Sequence, residues 1–174
     1  MLLDVIDVSK RFGGYQVIDR FSFQVNEGDA LGIVGPNGAG KTTLLSLISG
    51  DHRVSSGRVL LNGVDIARMP AHQRCRLGIG RTAQIPRPFE GLTVFENVLV
   101  GSTFGSADRL RSTAEAAAVA ALDTAGMGDK ANVLAGSLTL LERKRLELAR
   151  ALATQPSLLL LDEIADRKST RLNS

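Results

Sequence analysis

Tryptophan is absent, aromatic residues make up only 4% of the chain, and Cys75 is its single cysteine. One cysteine excludes an internal disulfide, and although Arg74 and Arg76 flank it, an inert reduced thiol is the expectation. No apolar run approaches the length needed to span a bilayer. Met1 to Asp7 also lacks the basic start and long apolar core of a signal peptide, so a cytosolic chain is expected. What remains is ordinary for a globular domain: 174 residues, 44% hydrophobic and 22% charged, enough for one sizeable core with no second domain required.

A strong charge of either sign is also missing. The net charge is +3, but the segment Asp166 to Ser174 reads as the translation of a sequencing adapter fused to a truncated gene rather than as native protein. Those nine residues carry three basic side chains and one acidic, so without them the net charge falls by two, from +3 to +1. No nucleic-acid or membrane-surface partner is argued from charge.

Against this plain background one stretch stands out. Gly35-Pro36-Asn37-Gly38-Ala39-Gly40-Lys41-Thr42 fits the pattern G-x-x-x-x-G-K-[ST]. Ala30 to Val34 upstream reads as a short buried strand, and Thr43 to Ile48 downstream as a helix stopped by Gly50. Glycines at 35, 38 and 40 let successive N–H groups point inward at a polyphosphate, and the helix N-terminus adds its partial positive charge. Lys41 would reach the β- and γ-phosphates and the Thr42 hydroxyl would coordinate Mg²⁺.

Two strands precede this loop: Leu2 to Val8, and a half-buried run in which Phe21, Phe23 and Val25 alternate with polar residues. Between them Lys10 to Tyr15 reads as an exposed turn whose Phe12, with Tyr15 in reserve, either stacks on a base or covers the sheet edge. Asn62-Gly63 marks a hairpin after Arg58 to Leu61, and Pro70 opens a short helix through Arg76. Gly78 to Thr82 should be a strand ending at Gln84, whose amide would sense a Mg²⁺ ligand and an attacking water together. The stiff loop Ile85 to Gly91 suits pressing on a partner.

Three capping boxes follow. Thr93 with Glu96 starts a helix ended by Gly101, Ser112 with Glu115 starts an alanine-rich helix, and Thr139 with Glu142 starts a long helix to Gln155 with Leu141, Leu148 and Leu152 on one face. Ser157 to Glu163 is a continuously apolar strand terminating in two acids, the pattern of a strand buried on both faces. At its carboxyl end Asp162 would hold Mg²⁺ through its water shell and Glu163 would accept a proton from the attacking water. His52 and His72 read as surface residues.

Phe12, Gly35 to Thr42, Gln84, the helix from Thr139 and the run Leu158 to Glu163 together resemble the ATP-binding subunits of ABC transporters, over nearly all of residues 1–165. In that resemblance they stand for the adenine-stacking aromatic, the Walker A loop, the Q-loop glutamine, the signature helix, and Walker B with its catalytic glutamate. Arg81 to Phe89 with Leu92-Thr93-Val94 looks most like the branched-chain amino acid importers.

The implied fold is α/β: a P-loop NTPase core of mixed or parallel sheet flanked by helices, with N-terminal antiparallel strands and a small helical insertion. The core would hold residues 1–84 and 156–165, the helical subdomain about 85–155, and 166–174 the non-native tail. The implied cofactors are ATP and Mg²⁺. The nucleotide set runs from Gly35 through Pro36, Asn37, Gly38, Ala39, Gly40, Lys41 and Thr42 to Thr43, with Phe12 and Thr139. Thr42, Gln84 and Asp162 would meet the metal, and Glu163, Gln84 and Lys41 would serve hydrolysis.

The resemblance further implies a subunit on the cytoplasmic face of the inner membrane, contacting permease subunits through the loop after Gln84 and pairing head to tail with a second ATPase. Two departures qualify it. The family signature Leu-Ser-Gly-Gly-Gln is replaced by Leu138-Thr139-Leu140-Leu141-Glu142, which favours a heterodimer with one weak site. A switch histidine is missing after Ala165, so the chain as written should hydrolyse ATP negligibly. The competing readings are a soluble ABC ATPase of DNA repair or translation and a nucleotide-binding fragment without hydrolysis.

Overall fold

Residues 1–105 and 113–162 are described by the computed structural model of the chain. The opening apolar alternation forms a long hairpin, β1 (Leu3–Phe12) against β2 (Tyr15–Val25), with Phe12 opposite Tyr15. The expected exposed turn is therefore tighter than its sequence suggests: only Gly13 and Gly14 leave the ladder, and Gly13 takes φ 58. The helix α1 (Lys41–Ser49) follows the phosphate loop and ends at Gly50 in the left-handed conformation. Strand β3 (Ser56–Leu61) returns antiparallel to β1, and β4 (Val64–Asp65) completes a four-stranded sheet of order β2-β1-β3-β4. Its Asn62-Gly63 turn has both residues at positive φ, 49 and 79, as a two-residue hairpin requires.

The short helix α2 (Ala71–Arg76) starts behind Pro70. Beyond it β5 (Ile79–Arg81) runs parallel to β6 (Leu158–Leu160), with Arg81 level with Leu160. Between these two strands in sequence lie α3 (Val94–Phe104), α4 (Ala114–Thr124) and α5 (Leu140–Ala153). The apolar residues sort into two clusters. In one, Leu3, Val5 and Val59 of the sheet meet Leu47 and Ile48 of α1 and Leu158 and Leu160 of β6. In the other, Val94 and Val98 of α3 meet Ala118 and Leu122 of α4 and Leu146 and Ala149 of α5.

Several expectations are corrected. Ala30 to Val34 forms no strand: Val34 is 97% exposed, and Leu31 and Ile33 line a cleft of about 530 Å³ together with Leu158 to Leu161. An apolar run becomes a strand only where a neighbour accepts its backbone hydrogen bonds, and no strand pairs with this one among the described residues. Phe21 is exposed because β2 is the edge of its sheet.

Gly101 does not stop α3, which runs on to Phe104. A Cβ at Gly101 would lie 2.6 Å from the Arg150 carbonyl oxygen, so this glycine lets α3 and α5 approach closely. The cap of α4 is Thr113, which accepts from the Ala116 amide at 3.2 Å, one residue later than expected; Ser112 lies outside the described residues. The buried stripe of α5 is Leu146, Ala149 and Ala153, whereas Leu141 is exposed. The boxes at Thr93/Glu96 and Thr139/Glu142 form as expected.

Candidate functional site

The loop from Gly35 to Gly40 carries the backbone its glycines foreshadow. Gly38 and Gly40 sit at φ 81 and 87, and Gly40 also leaves room for β2, since a Cβ there would lie 3.2 Å from Val17 Cγ1. The first amides of α1 lack intrahelical partners and face this loop, which makes it an anion cradle. Lys41 Nζ donates to the Gly35 and Pro36 carbonyls at 2.7 and 2.8 Å, folding the ammonium back across the loop. A cavity of about 400 Å³ borders the loop, lined by Val17, Asn37, Gly38, Gly40, Lys41, Thr42, Thr43 and Gln84.

Across 120 residues of chain, Asp162 reaches the same place. The Thr42 hydroxyl donates to Asp162 Oδ1 at 3.3 Å, and the Asp162 amide donates to Thr82 Oγ1 at 3.2 Å. Asp162 is 6% exposed, although the strand before it is shorter and less covered than its apolar run predicts: β6 ends at Leu160, Leu159 is half-buried and Leu161 is 45% exposed. A phosphate cradle, a lysine, a hydroxyl and a buried carboxylate thus converge from α1 and β6.

Residues 18–166 match the sequence pattern of the ABC transporter family. The chain belongs to that family. A probable ABC transporter ATP-binding protein of Azorhizobium caulinodans is 38% identical over 161 residues, covering 92% of this chain and 57% of its own length. The high-affinity branched-chain amino acid transport ATP-binding protein BraF of Pseudomonas aeruginosa is 34% identical over 177 residues, covering 94% of this chain and 69% of its own. The chain therefore spans roughly three fifths to two thirds of the length of these curated relatives. Among solved structures, a nucleotide-free ATP-binding cassette from an ABC transporter superposes with a TM-score of 0.82 at 30% identity, covering 95% of this chain and 70% of that one.

Within this cassette the donor set suits Mg²⁺. Thr42 and Asp162 offer hard oxygen ligands at the mouth of the phosphate cradle, and no cluster of three or more His, Cys, Asp or Glu side chains exists among the described residues. That is the arrangement of a metal held partly by phosphate oxygens and water rather than by an all-protein cage. Gln84 lies in a bend three residues beyond β5, exposed and lining the same cavity. Glu163 lies outside the described residues.

Phe12 occupies the end of β1 and is 45% exposed. Its ring meets His52 edge-on at 5.3 Å and lies 4.7 Å from Lys10 Nζ, while Val17 and Ile18 of β2 border the phosphate loop. Burial pushes the Cys75 thiol above its usual value, against the opposing pull of Arg76, in keeping with an inert thiol.

The remaining element of the cassette is the start of α5. Thr139 caps it, and Glu142 reaches back to accept from the Thr139 amide and hydroxyl, both at 2.8 Å, while pairing with Lys130. The Lys130 hydrogen bond, then those from Thr139, push the Glu142 carboxyl from 4.5 down to about 2. A carboxyl depressed in the folded state stabilises that state fully above its unfolded value, and the contribution fades as the pH falls from about 4.5 toward 2. Glu142→Gln should accordingly flatten stability against pH over that window in a series of chemical denaturation curves. An unchanged acid limb would show that the pair does not hold in solution.

The sequence reading missed Arg81 and Arg74 as organising residues. Both are arginines in locally unremarkable segments, and only strand pairing and helix packing reveal what they reach.

Proposed function

We propose that this chain is the nucleotide-binding and hydrolysing subunit of an ABC importer, of the branched-chain amino acid type. The single observation that carries it is the meeting of Thr42 with Asp162 at 3.3 Å beside Lys41, which assembles phosphate grip and metal ligands from opposite ends of the chain. ATP is the nucleotide proposed, its adenine lying toward Val17 and Phe12. The amides of Gly38 to Thr43 and the Lys41 ammonium hold the β- and γ-phosphates and offset the charge that develops on them. Thr42 and Asp162 would hold Mg²⁺, which when bound would supply electrostatic activation of the phosphoryl group. Gln84 and Glu163 orient water for in-line attack, Glu163 taking its proton.

The importer reading draws support from BraF, a branched-chain amino acid transport ATP-binding protein, at 34% identity. Permease subunits are the proposed partners of the loop after Gln84. That loop is backed on the protein by Asn97, which accepts from the Phe89 amide and donates to its carbonyl at 2.8 and 3.0 Å. It presents Ile85 at 67% and Phe89 at 48% exposure. No described helix is long and apolar enough to cross a membrane.

A second, different ATPase subunit is the proposed companion. Where the family places glycines, Leu140 and Leu141 stand 63% and 55% exposed, next to an ionised Glu142 that disfavours a facing phosphate. Thr139 would be left as the nearest hydroxyl to a partner-held nucleotide.

Expression of the full gene with its neighbouring permease genes tests the function. Membrane-bound complexes with ATP turnover stimulated by substrate-loaded binding protein are expected. Co-purification with ribosomes or nucleic acid instead of permease would overturn the importer reading, and equal turnover at both sites of the pair would overturn the heterodimer.

A further inference from the structure

Arg81 closes the parallel strand β5 and lies level with Leu160 of β6, so its side chain stands two residues from Asp162 in register. The guanidinium is only 18% exposed and four acceptors surround it. Its Nη1 donates to Ser46 Oγ at 2.9 Å, Ser49 Oγ at 3.0 Å and Asp51 Oδ2 at 2.6 Å. Its Nη2 donates to Asp162 Oδ2 at 3.4 Å. Asp51 is itself anchored, accepting from the Ser49 hydroxyl at 2.6 Å.

The two oxygens of Asp162 thus have separate partners. Oδ2 is taken by Arg81, and Oδ1 faces the Thr42 hydroxyl at 3.3 Å. A carboxylate on a short side chain still has two torsions, and fixing one oxygen on a planar guanidinium leaves the other aimed one way. The guanidinium cannot follow the carboxylate, because Ser46 and Ser49 tie it to the body of α1 and Asp51 ties it just beyond that helix. The same helix carries Thr42 at its first turn, so one rigid element sets both halves of the oxygen pair.

We infer that Arg81 is the positioning residue of this site: anchored by Ser46, Ser49 and Asp51, it holds Asp162 Oδ2 so that Oδ1 meets Thr42 in the geometry that receives a divalent cation. The inference rests on the proposed reading of Thr42 and Asp162 as the metal ligands. Arg81 itself does not line the cavity at the phosphate loop. Outer partners of this kind change metal affinity by about 10- to 100-fold when removed.

The test is Mg²⁺ titration of the 174-residue chain with a fluorescent ATP analogue, run beside the same titration in chelator without metal. The wild type first tests the reading beneath: nucleotide binding that Mg²⁺ does not strengthen would overturn the metal assignment itself. Given that dependence, Arg81→Met should raise the Mg²⁺ concentration for half-maximal effect by about 10-fold, while metal-free nucleotide affinity stays within about 2-fold. Arg81→Lys should restore part of the difference, since a single ammonium can serve Asp162 or Asp51 but not all four acceptors.

Asp51→Asn provides the variant that leaves Arg81 and Asp162 in place and loosens only the outer anchor; a smaller shift in the same direction is expected. A purely structural arginine would lower the melting temperature and weaken binding equally with and without Mg²⁺. That result, or an unchanged Mg²⁺ dependence in Arg81→Met, would overturn the proposal. If Arg81→Met does not fold, an unchanged Mg²⁺ dependence in both Asp51→Asn and Arg81→Lys overturns it.

Discussion

Replacing Lys41 with methionine should weaken binding of a nucleoside triphosphate by about 10²-fold. The Lys41 ammonium donates to the Gly35 and Pro36 carbonyls at 2.7 and 2.8 Å. Those are neutral acceptors, and phosphate oxygens are charged ones, so the ammonium exchanges the weaker partners for stronger. Hydrogen bonds to charged groups contribute about 1.5–3 kcal/mol each, and losing the upper part of that range corresponds to the stated factor. Methionine keeps the stem and removes the ammonium with its two carbonyl hydrogen bonds, and because Lys41 is only half-buried water can reach those carbonyls, so the melting temperature should move little.

Lys41→Arg is expected to rescue little, since a planar fork does not fit where a compact ammonium threads between loop and phosphate. Equilibrium titration with a fluorescent ATP analogue reads the effect. Affinity unchanged in Lys41→Met would mean that the nucleotide is held away from the phosphate loop.

Arg74→Met should be strongly destabilising, costing about 3–5 kcal/mol and lowering the melting temperature by about 10 °C. Arg74 is 1% exposed. Its guanidinium satisfies four backbone carbonyls: Leu47 and Ile48 from Nη1 at 2.6 and 2.9 Å, Ala67 from Nη2 at 3.0 Å, and Met69 from Nε at 2.9 Å. Leu47 and Ile48 end α1, where carbonyls lack intrahelical donors and a cation is favoured by the helix dipole.

Burial pulls the Arg74 pKa below its usual value, with Asp51 and Asp65 drawing it back up, so a buried cation is kept charged by carbonyls and nearby carboxylates. Methionine fills the space but leaves those carbonyls in an apolar site without donors. Gly50 belongs to the same arrangement: a Cβ there would lie 2.8 Å from Arg74 Nε. Thermal denaturation followed by circular dichroism checks the prediction. A loss under 1 kcal/mol would mean that water replaces the guanidinium and that the site is not dry. Arg74→Lys should recover only a fraction, because one nitrogen cannot reach four acceptors.

The parts of the site that could be read without coordinates are those in which neighbouring residues decide the geometry. The glycines at 38 and 40, the lysine and the threonine act within one turn of chain, and their conformation follows from residue type alone. The boxes at Thr93/Glu96 and Thr139/Glu142 are equally local, a side chain reaching three residues along a helix start. Asn62-Gly63 makes its turn for the same reason. Glycine elsewhere was ambiguous: Gly50 ends a helix, while Gly101 sits inside one because Arg150 of α5 passes within 2.6 Å of where its Cβ would be.

Residue type by itself determined that this chain holds a phosphate cradle, an apolar strand ending in acid, and helices between them, because each is written in spacings shorter than a few turns. Tertiary structure alone decided which distant groups share the site. Asp162 meets Thr42 across 120 residues, and Arg81 becomes the partner of Asp162 only because β5 lies parallel to β6 in one register. It also decided against Ala30 to Val34, whose apolar sequence is that of a strand but whose backbone pairs with no strand among the described residues. Local pattern specifies what a segment can form, and hydrogen-bond partners from elsewhere in the chain settle whether it does.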